Sequence, residues 1–150
     1  MIVLEPPDTT RFADAADRHY RDAQLLREEQ RFANADHLAG VAAECALKAI
    51  LVGHLGGVVR RGRPTHPQHS DSRYGHLPGL WRELGLISSG RTGSTFHQVI
   101  TGTNPFLRWD VAERYSDGSH IDARRADTHL DEARKILSFH QQAQIYGALP

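Results

Sequence analysis

Five residues lie between Arg114 and His120 in the stretch RYSDGSH, and the pair carries the parts of a phosphoryl-transfer centre. A guanidinium holds two phosphate oxygens at once and stabilises charge that develops on a phosphorane. An imidazole titrates near neutral pH and moves protons. Ser119, His120, Ile121 and Asp122 fit the [ST]-x-x-[DE] capping box, which predicts Ser119 at the N-cap of a last long helix and His120 at its first helical position. A helix start offers free backbone N–H groups to a phosphate, and its dipole favours the neutral, base-competent imidazole. Those parts suffice for metal-free RNA cleavage through the 2′-hydroxyl. Arg and His at this spacing also arise by chance. The structural alternative makes Arg114 an internal counter-ion.

Other polar clusters say less. His66, His69 and His76 follow no zinc spacing and have no cysteine beside them, so no metal site is expected. The isolated glycines form no phosphate-binding fingerprint and no nucleophile elbow is present, so no cofactor is expected. Glu44 and Lys48 stand four apart in the order that favours pairing. Glu44 needs a hydrogen-bonded cation if buried, with Arg114 or His76 as the expected partner. Arg60, Arg61, Arg63 and Arg73 face only Asp71 and make one basic stretch. Such a stretch suits either a solvated loop or a track for a phosphate backbone.

The elements that must position these groups are helical. From Phe32 to Leu55 the apolar residues Leu38, Val41, Ala42, Cys45, Ala46, Ala49 and Ile50 recur at three and four, which predicts a central helix capped by Asn34 or Asp36. Gly40 inside it weakens the helix unless something approaches closely there. Before it, Phe12, Ala16, Tyr20, Ala23 and Leu26 mark the inner face of a first helix, entered from Asp8, Thr9 or Thr10 and ending near Gln30. The two form an antiparallel hairpin. Residues 1–7 are an extended lead, and residues 56–75 are a long basic loop. Leu77, Leu80, Trp81 and Leu84 predict a short helix, and Phe96 to Leu107 another, broken at Gly102 and Pro105. Trp109, Val111 and Tyr115 anchor an irregular segment. Ser119 to Tyr146 is the last long helix, with Ala126, Leu130, Ala133, Leu137 and His140 on its stripe.

The expected architecture is therefore a single all-α domain over residues 1–150, an up-and-down bundle of four or five helices. Eighteen basic residues balance eighteen acidic ones, so no global field recruits nucleic acid or membrane. Cys45 is the single cysteine, read as a core hydrophobe. The absence of a basic-then-apolar lead and of a spanning run predicts a cytoplasmic protein without a membrane partner.

The strings ADHLAGVAAECALKAIL (Ala35–Leu51), GHLPGL (Gly75–Leu80) and WDVAERY (Trp109–Tyr115) resemble small prokaryotic HEPN-domain proteins, over roughly residues 10–145. The resemblance implies a helical bundle, commonly a homodimer. It also implies a metal-independent ribonuclease of toxin–antitoxin or defence type, with an Arg–His pair from each subunit in a composite site. Arg114 and His120 fall at the family's signature position near the last helix. Tyr115 stands where the family often has Asn, Asp or His, and Asp122 where toxins modified by a nucleotidyltransferase carry Tyr. The function expected is an RNA endonuclease with His120 as acid/base, Arg114 as clamp, Ser119 at the phosphate, and Arg60, Arg61, Arg63 and Arg73 guiding the strand. Glu44, Lys48 and Tyr115 support the site. The alternative is a non-catalytic scaffold paired with a nucleotidyltransferase antitoxin or another neighbouring partner, in which Arg114 and Glu44 form a buried pair.

Overall fold

Three long helices make the core of the computed structural model, which describes residues 10–69, 74–88 and 94–150. They are α1 (Phe12–Glu28), α2 (Phe32–His54) and α5 (Ala123–Tyr146). Gln30 takes a left-handed φ of 58° in the short link after α1, so the chain doubles straight back into α2. Both oxygens of Asp127 accept from Arg27, at 2.7 and 3.1 Å, so the end of α1 meets the start of α5. The expected antiparallel hairpin is present.

The chain runs up α1 and down α2, returns through short pieces and runs down again along α5. Asp36 meets His129 near the start of α2 and α5, and His54 meets His140 further along both. The two longest helices therefore run in the same direction. Between them the chain returns through short pieces: strands β1 (Val58–Arg60) and β2 (Arg63–Thr65), helices α3 (Gly79–Ile87) and α4 (Thr95–Ile100), and a 3-10 turn at Val111–Tyr115.

Several boundaries differ from expectation for local reasons. The basic stretch holds an antiparallel hairpin, with Val58 opposite Thr65 and Arg60 opposite Arg63. Arg61 and Gly62 both take positive φ in its turn, the backbone of a primed hairpin turn. Three-residue strands, one holding Pro64, leave almost no alternation to read. The cap of α2 is Arg31 without a side-chain bond, so neither Asn34 nor Asp36 caps it, and Asp36 is buried inside the helix. The cap of α1 is Arg11 rather than Asp8, Thr9 or Thr10. Of these, Asp8 and Thr9 fall with the expected extended lead outside the described residues, as does Arg73. The second short helix covers only Thr95–Ile100.

Helix α5 starts at Ala123, later than expected, because Asp122 and not Ser119 accepts from the third residue on, Arg125 N, at 2.9 Å. Asp117 explains the shift. Its Oδ1 accepts from Ser119 N and Ser119 Oγ at 3.0 and 2.8 Å, with Gly118 at φ 75°, and this turn takes the donors a cap would use.

The core is filled by Leu47, Ile50, Leu80, Leu84, Phe96, Phe106, Trp109 and Ile136 around the small-residue stripe of α2. Gly40 belongs to that stripe for a specific reason. A Cβ there would lie 2.0 Å from Trp109 Cε2 and Nε1. The indole lies flat against bare backbone and donates from Nε1 to Asp36 O at 3.1 Å. Gly40→Ala is expected to lower stability by about 3 kcal/mol, the upper end for overpacking, despite alanine's better helix propensity. Urea denaturation with an unchanged m-value checks this, and a neutral or stabilising result contradicts the contact.

Candidate functional site

The segment that returns the chain to α5 brings the sequence-predicted groups to the start of α2. Asp110 caps the 3-10 turn by accepting from Ala112 N at 2.8 Å, which sets Glu113 and Arg114 on successive positions. Arg114, Glu113, Ser116, Asp117 and Gly118 then line one wall of an open cavity of about 240 Å³. Arg31, Phe32, Ala33, Asn34 and His37 from the beginning of α2 line the other. Arg114 is exposed, with its guanidinium carbon 4.9 Å from the centre of the Tyr115 ring. Tyr115 is 79% exposed and anchors nothing, contrary to the sequence reading.

His120 lies in the loop before α5, not in its first turn, so the expected help from the helix dipole is absent. Its Nε2 sits 2.9 Å from Glu113 Oε2. The hydrogen bond from His120, together with that from Ser116 Oγ, holds the Glu113 carboxyl below its usual range despite some desolvation. An ionised Glu113 makes Nε2 the protonated nitrogen and leaves Nδ1 as the free base. Glu113 thus ties the imidazole to the cavity that Arg114 lines.

The remaining predicted residues sort by place. Ser119 gives its N–H and hydroxyl to Asp117. Glu44 is buried and accepts from Leu77 N at 2.8 Å and from His76 Nδ1 at 3.2 Å. The expectation of His76 as partner holds, while the Glu44–Arg114 pair of the scaffold alternative does not form. Lys48 is turned to a different cavity with Phe12, Arg63, Tyr74 and His76. Arg60, Arg61 and Arg63 sit on the hairpin at that end, beyond the last turns of α2. Eleven residues of helix separate Lys48 from His37, roughly 16 Å of rise. The structure therefore does not bring the hairpin arginines together with Arg114 and His120. His66 donates from Nε2 to Leu55 O and accepts from Gln68 N, so both its nitrogens serve the loop. Among the described residues, no three His, Cys, Asp or Glu side chains are grouped to hold a metal ion.

One set of polar residues was missed from the sequence. Asp36 on α2 and His129 on α5 are both almost wholly buried, at 1% and 3% exposure, and His129 Nδ1 donates to Asp36 Oδ1 at 2.5 Å. Arg125, one turn before His129, places Nε 3.8 Å from Asp36 Oδ2 and donates from Nη2 to Arg108 O. The signal available was the i, i+4 placement of Arg125 and His129 on a helix whose inner stripe passes between them.

His37 lines the cavity that Arg114 lines. Its ring stacks on Trp109 with centroids 5.7 Å apart, and its Nδ1 is buried without a hydrogen bond. Burial holds its pKa below the ordinary imidazole value; the Arg114 charge adds to this and Asp36 opposes it. Burial also lowers His19 and His140, helped by Arg18 and His54 respectively. Each of these groups binds protons more weakly folded than unfolded. Their contribution is therefore intact above about pH 6.5 and is lost as the pH falls below it. Melting temperature is expected to drop between pH 7.5 and pH 5, and His37→Gln should flatten part of that slope. A rise in stability over that interval would contradict this reading.

Comparison of the chain with protein-family models, with curated proteins and with solved structures returns no match. Among the described residues, no helix is long and apolar enough to cross a membrane.

Proposed function

We propose that this helical protein is a metal-independent endoribonuclease of the HEPN type, with Arg114 and His120 at its centre. The observation that carries the reading is the Glu113–His120 bond beside a solvent-open cavity lined by Arg114. In the proposed reaction, His120 Nδ1 takes the proton of a 2′-hydroxyl and the freed oxygen attacks the adjacent phosphorus. The bond from phosphorus to the 5′-oxygen breaks, the leaving oxygen gains a proton, and a 2′,3′-cyclic phosphate remains. Arg114 neutralises the charge on the non-bridging oxygens as the five-coordinate species forms. Glu113 keeps His120 in one tautomer and one orientation, the part a buried carboxylate plays behind a catalytic imidazole elsewhere. The exposed Tyr115 ring, braced by Arg114, offers a face on which an unpaired base stacks.

A homodimer with two such centres facing one another belongs to the same proposal, as does a role in a toxin or defence system. The competing reading is a non-catalytic module that binds a nucleotidyltransferase or other partner. The Arg114–Glu44 pair expected with that reading is not formed, since Glu44 accepts from His76 and Leu77. Purified protein incubated with single-stranded and structured RNA in the presence of a chelator tests the choice. Cleavage that disappears in His120→Ala supports the nuclease, and equal cleavage by that variant rejects it.

A further inference from the structure

A second cavity, of about 570 Å³, opens over the start of α5 on the other side of the returning segment. Arg108, Arg124, Arg125, Thr128 and His129 line it, with Asp122, Pro105 and Leu107 at its edge. We propose that this cavity is a binding site for a phosphate monoester, held by the arginines that line it and by the His129 ring.

His129 is the reason to expect a ligand and not simply a basic rim. The side chain is all but buried, yet it reaches the cavity wall. Asp36 accepts from Nδ1, and among the described residues Nε2 makes no hydrogen bond, while the ring lines the cavity. The Phe106 ring stacks on it with centroids 5.4 Å apart and planes 24° off parallel, so the imidazole is clamped from its face as well as from Nδ1. A buried imidazole held on one nitrogen and left open on the other is half of a hydrogen-bond pattern.

The rim supplies the charge that fits the other half. Arg125 is fixed by its bond to Arg108 O, while its Nε is buried without a hydrogen bond. Arg108 and Arg124 are exposed and reach the same space. Asp122 also lines the cavity with its carboxylate, which accepts from Arg125 N as the helix cap, and its single negative charge stands against three guanidinium groups. Thr128 gives its hydroxyl proton to Arg124 O, so its oxygen only accepts, and the anion is bound by arginines and imidazole.

The chemistry selects within the phosphates. A monoester or inorganic phosphate brings up to two negative charges to the guanidinium groups of Arg108, Arg124 and Arg125, and a diester brings only one. The cavity lies in the size range that encloses a small ligand, so a nucleotide or the end of a strand both fit the class.

The test follows the imidazole nitrogens of the intact protein by long-range proton–nitrogen correlation while inorganic phosphate is added, with sodium chloride at matched ionic strength as reference. The His129 Nε2 resonance is expected to move saturably with phosphate and to stay put with chloride. Dimethyl phosphate should bind far more weakly. The surface pair Arg108→Ala and Arg124→Ala, which touches no core contact, should weaken phosphate by roughly tenfold or more. Adenosine 5′-monophosphate and a 5′-phosphorylated oligonucleotide then separate a free phosphomonoester from a strand terminus. A His129 resonance that ignores phosphate overturns the proposal, and so does affinity unchanged in the double variant or equal for the diester. The cleavage assay on His120 reads the other cavity, so either result can fail alone.

Discussion

Replacing His120 by alanine is expected to reduce chelator-resistant RNA cleavage by about 10²–10⁴-fold while leaving the fold intact, the usual loss for a general acid–base group. The side chain is exposed, and its one polar partner, Glu113, is itself at the surface of the cavity. Circular dichroism and melting should therefore barely change. Arg114→Ala should cost a similar factor, and Arg114→Lys should recover little, because a point charge cannot hold two oxygens in the way a planar fork does. Glu113→Gln tests the positioning role separately. It keeps a hydrogen-bond acceptor for His120 but removes the charge, so cleavage should fall by less than in His120→Ala. The nuclease reading fails if both the Arg114 and His120 alanine variants cut RNA at the parent rate. It also fails if no RNA is cut by the parent under any tested substrate.

Asp36→Ala is expected to be the most damaging single change in the core, at about 3–5 kcal/mol. It strands the Nδ1–H of a buried His129 and removes the carboxylate charge that lies 3.8 Å from Arg125 Nε. Asp36→Asn keeps an oxygen for Nδ1 and should lose distinctly less. Equilibrium denaturation of the three proteins gives the comparison. A cost below about 1 kcal/mol for the alanine variant would mean that the pair contributes little to holding α2 on α5. The same carboxylate orients the ring that the phosphate proposal uses, which is why that test relies on Arg108 and Arg124 and not on Asp36.

The helices were legible from the sequence wherever burial imposed a period. The spacing of Ala42, Ala46, Ala49 and Ile50 fixed α2, and Leu80, Trp81 and Leu84 fixed α3. What could not be read were features decided by partners distant in the chain. Asp36 looks like a helix cap because short carboxylates usually stay near the surface, and His129, 93 residues away, with Arg125 beside it makes its burial tolerable. Ser119 has the residue types of a capping box, but Asp117 two residues earlier competes for the same donors. The choice between overlapping local hydrogen-bond patterns is made by tertiary packing, here the approach of Gly118 to Ala33 on α2. At the candidate site, proximity of Arg114 and His120 along the chain was visible. Glu113, which bonds His120 and lines the Arg114 cavity, was not singled out, because a surface glutamate in a short turn has no periodic signature.

The shared direction of α2 and α5 bears on how the chain is made. The hairpin of α1 and α2 is made before α5, the wall that covers its inner surface. At about 5–20 residues per second, several seconds pass between the two events. Throughout that interval the alanine-rich groove and the carboxylate of Asp36 wait in water for a counterpart not yet translated.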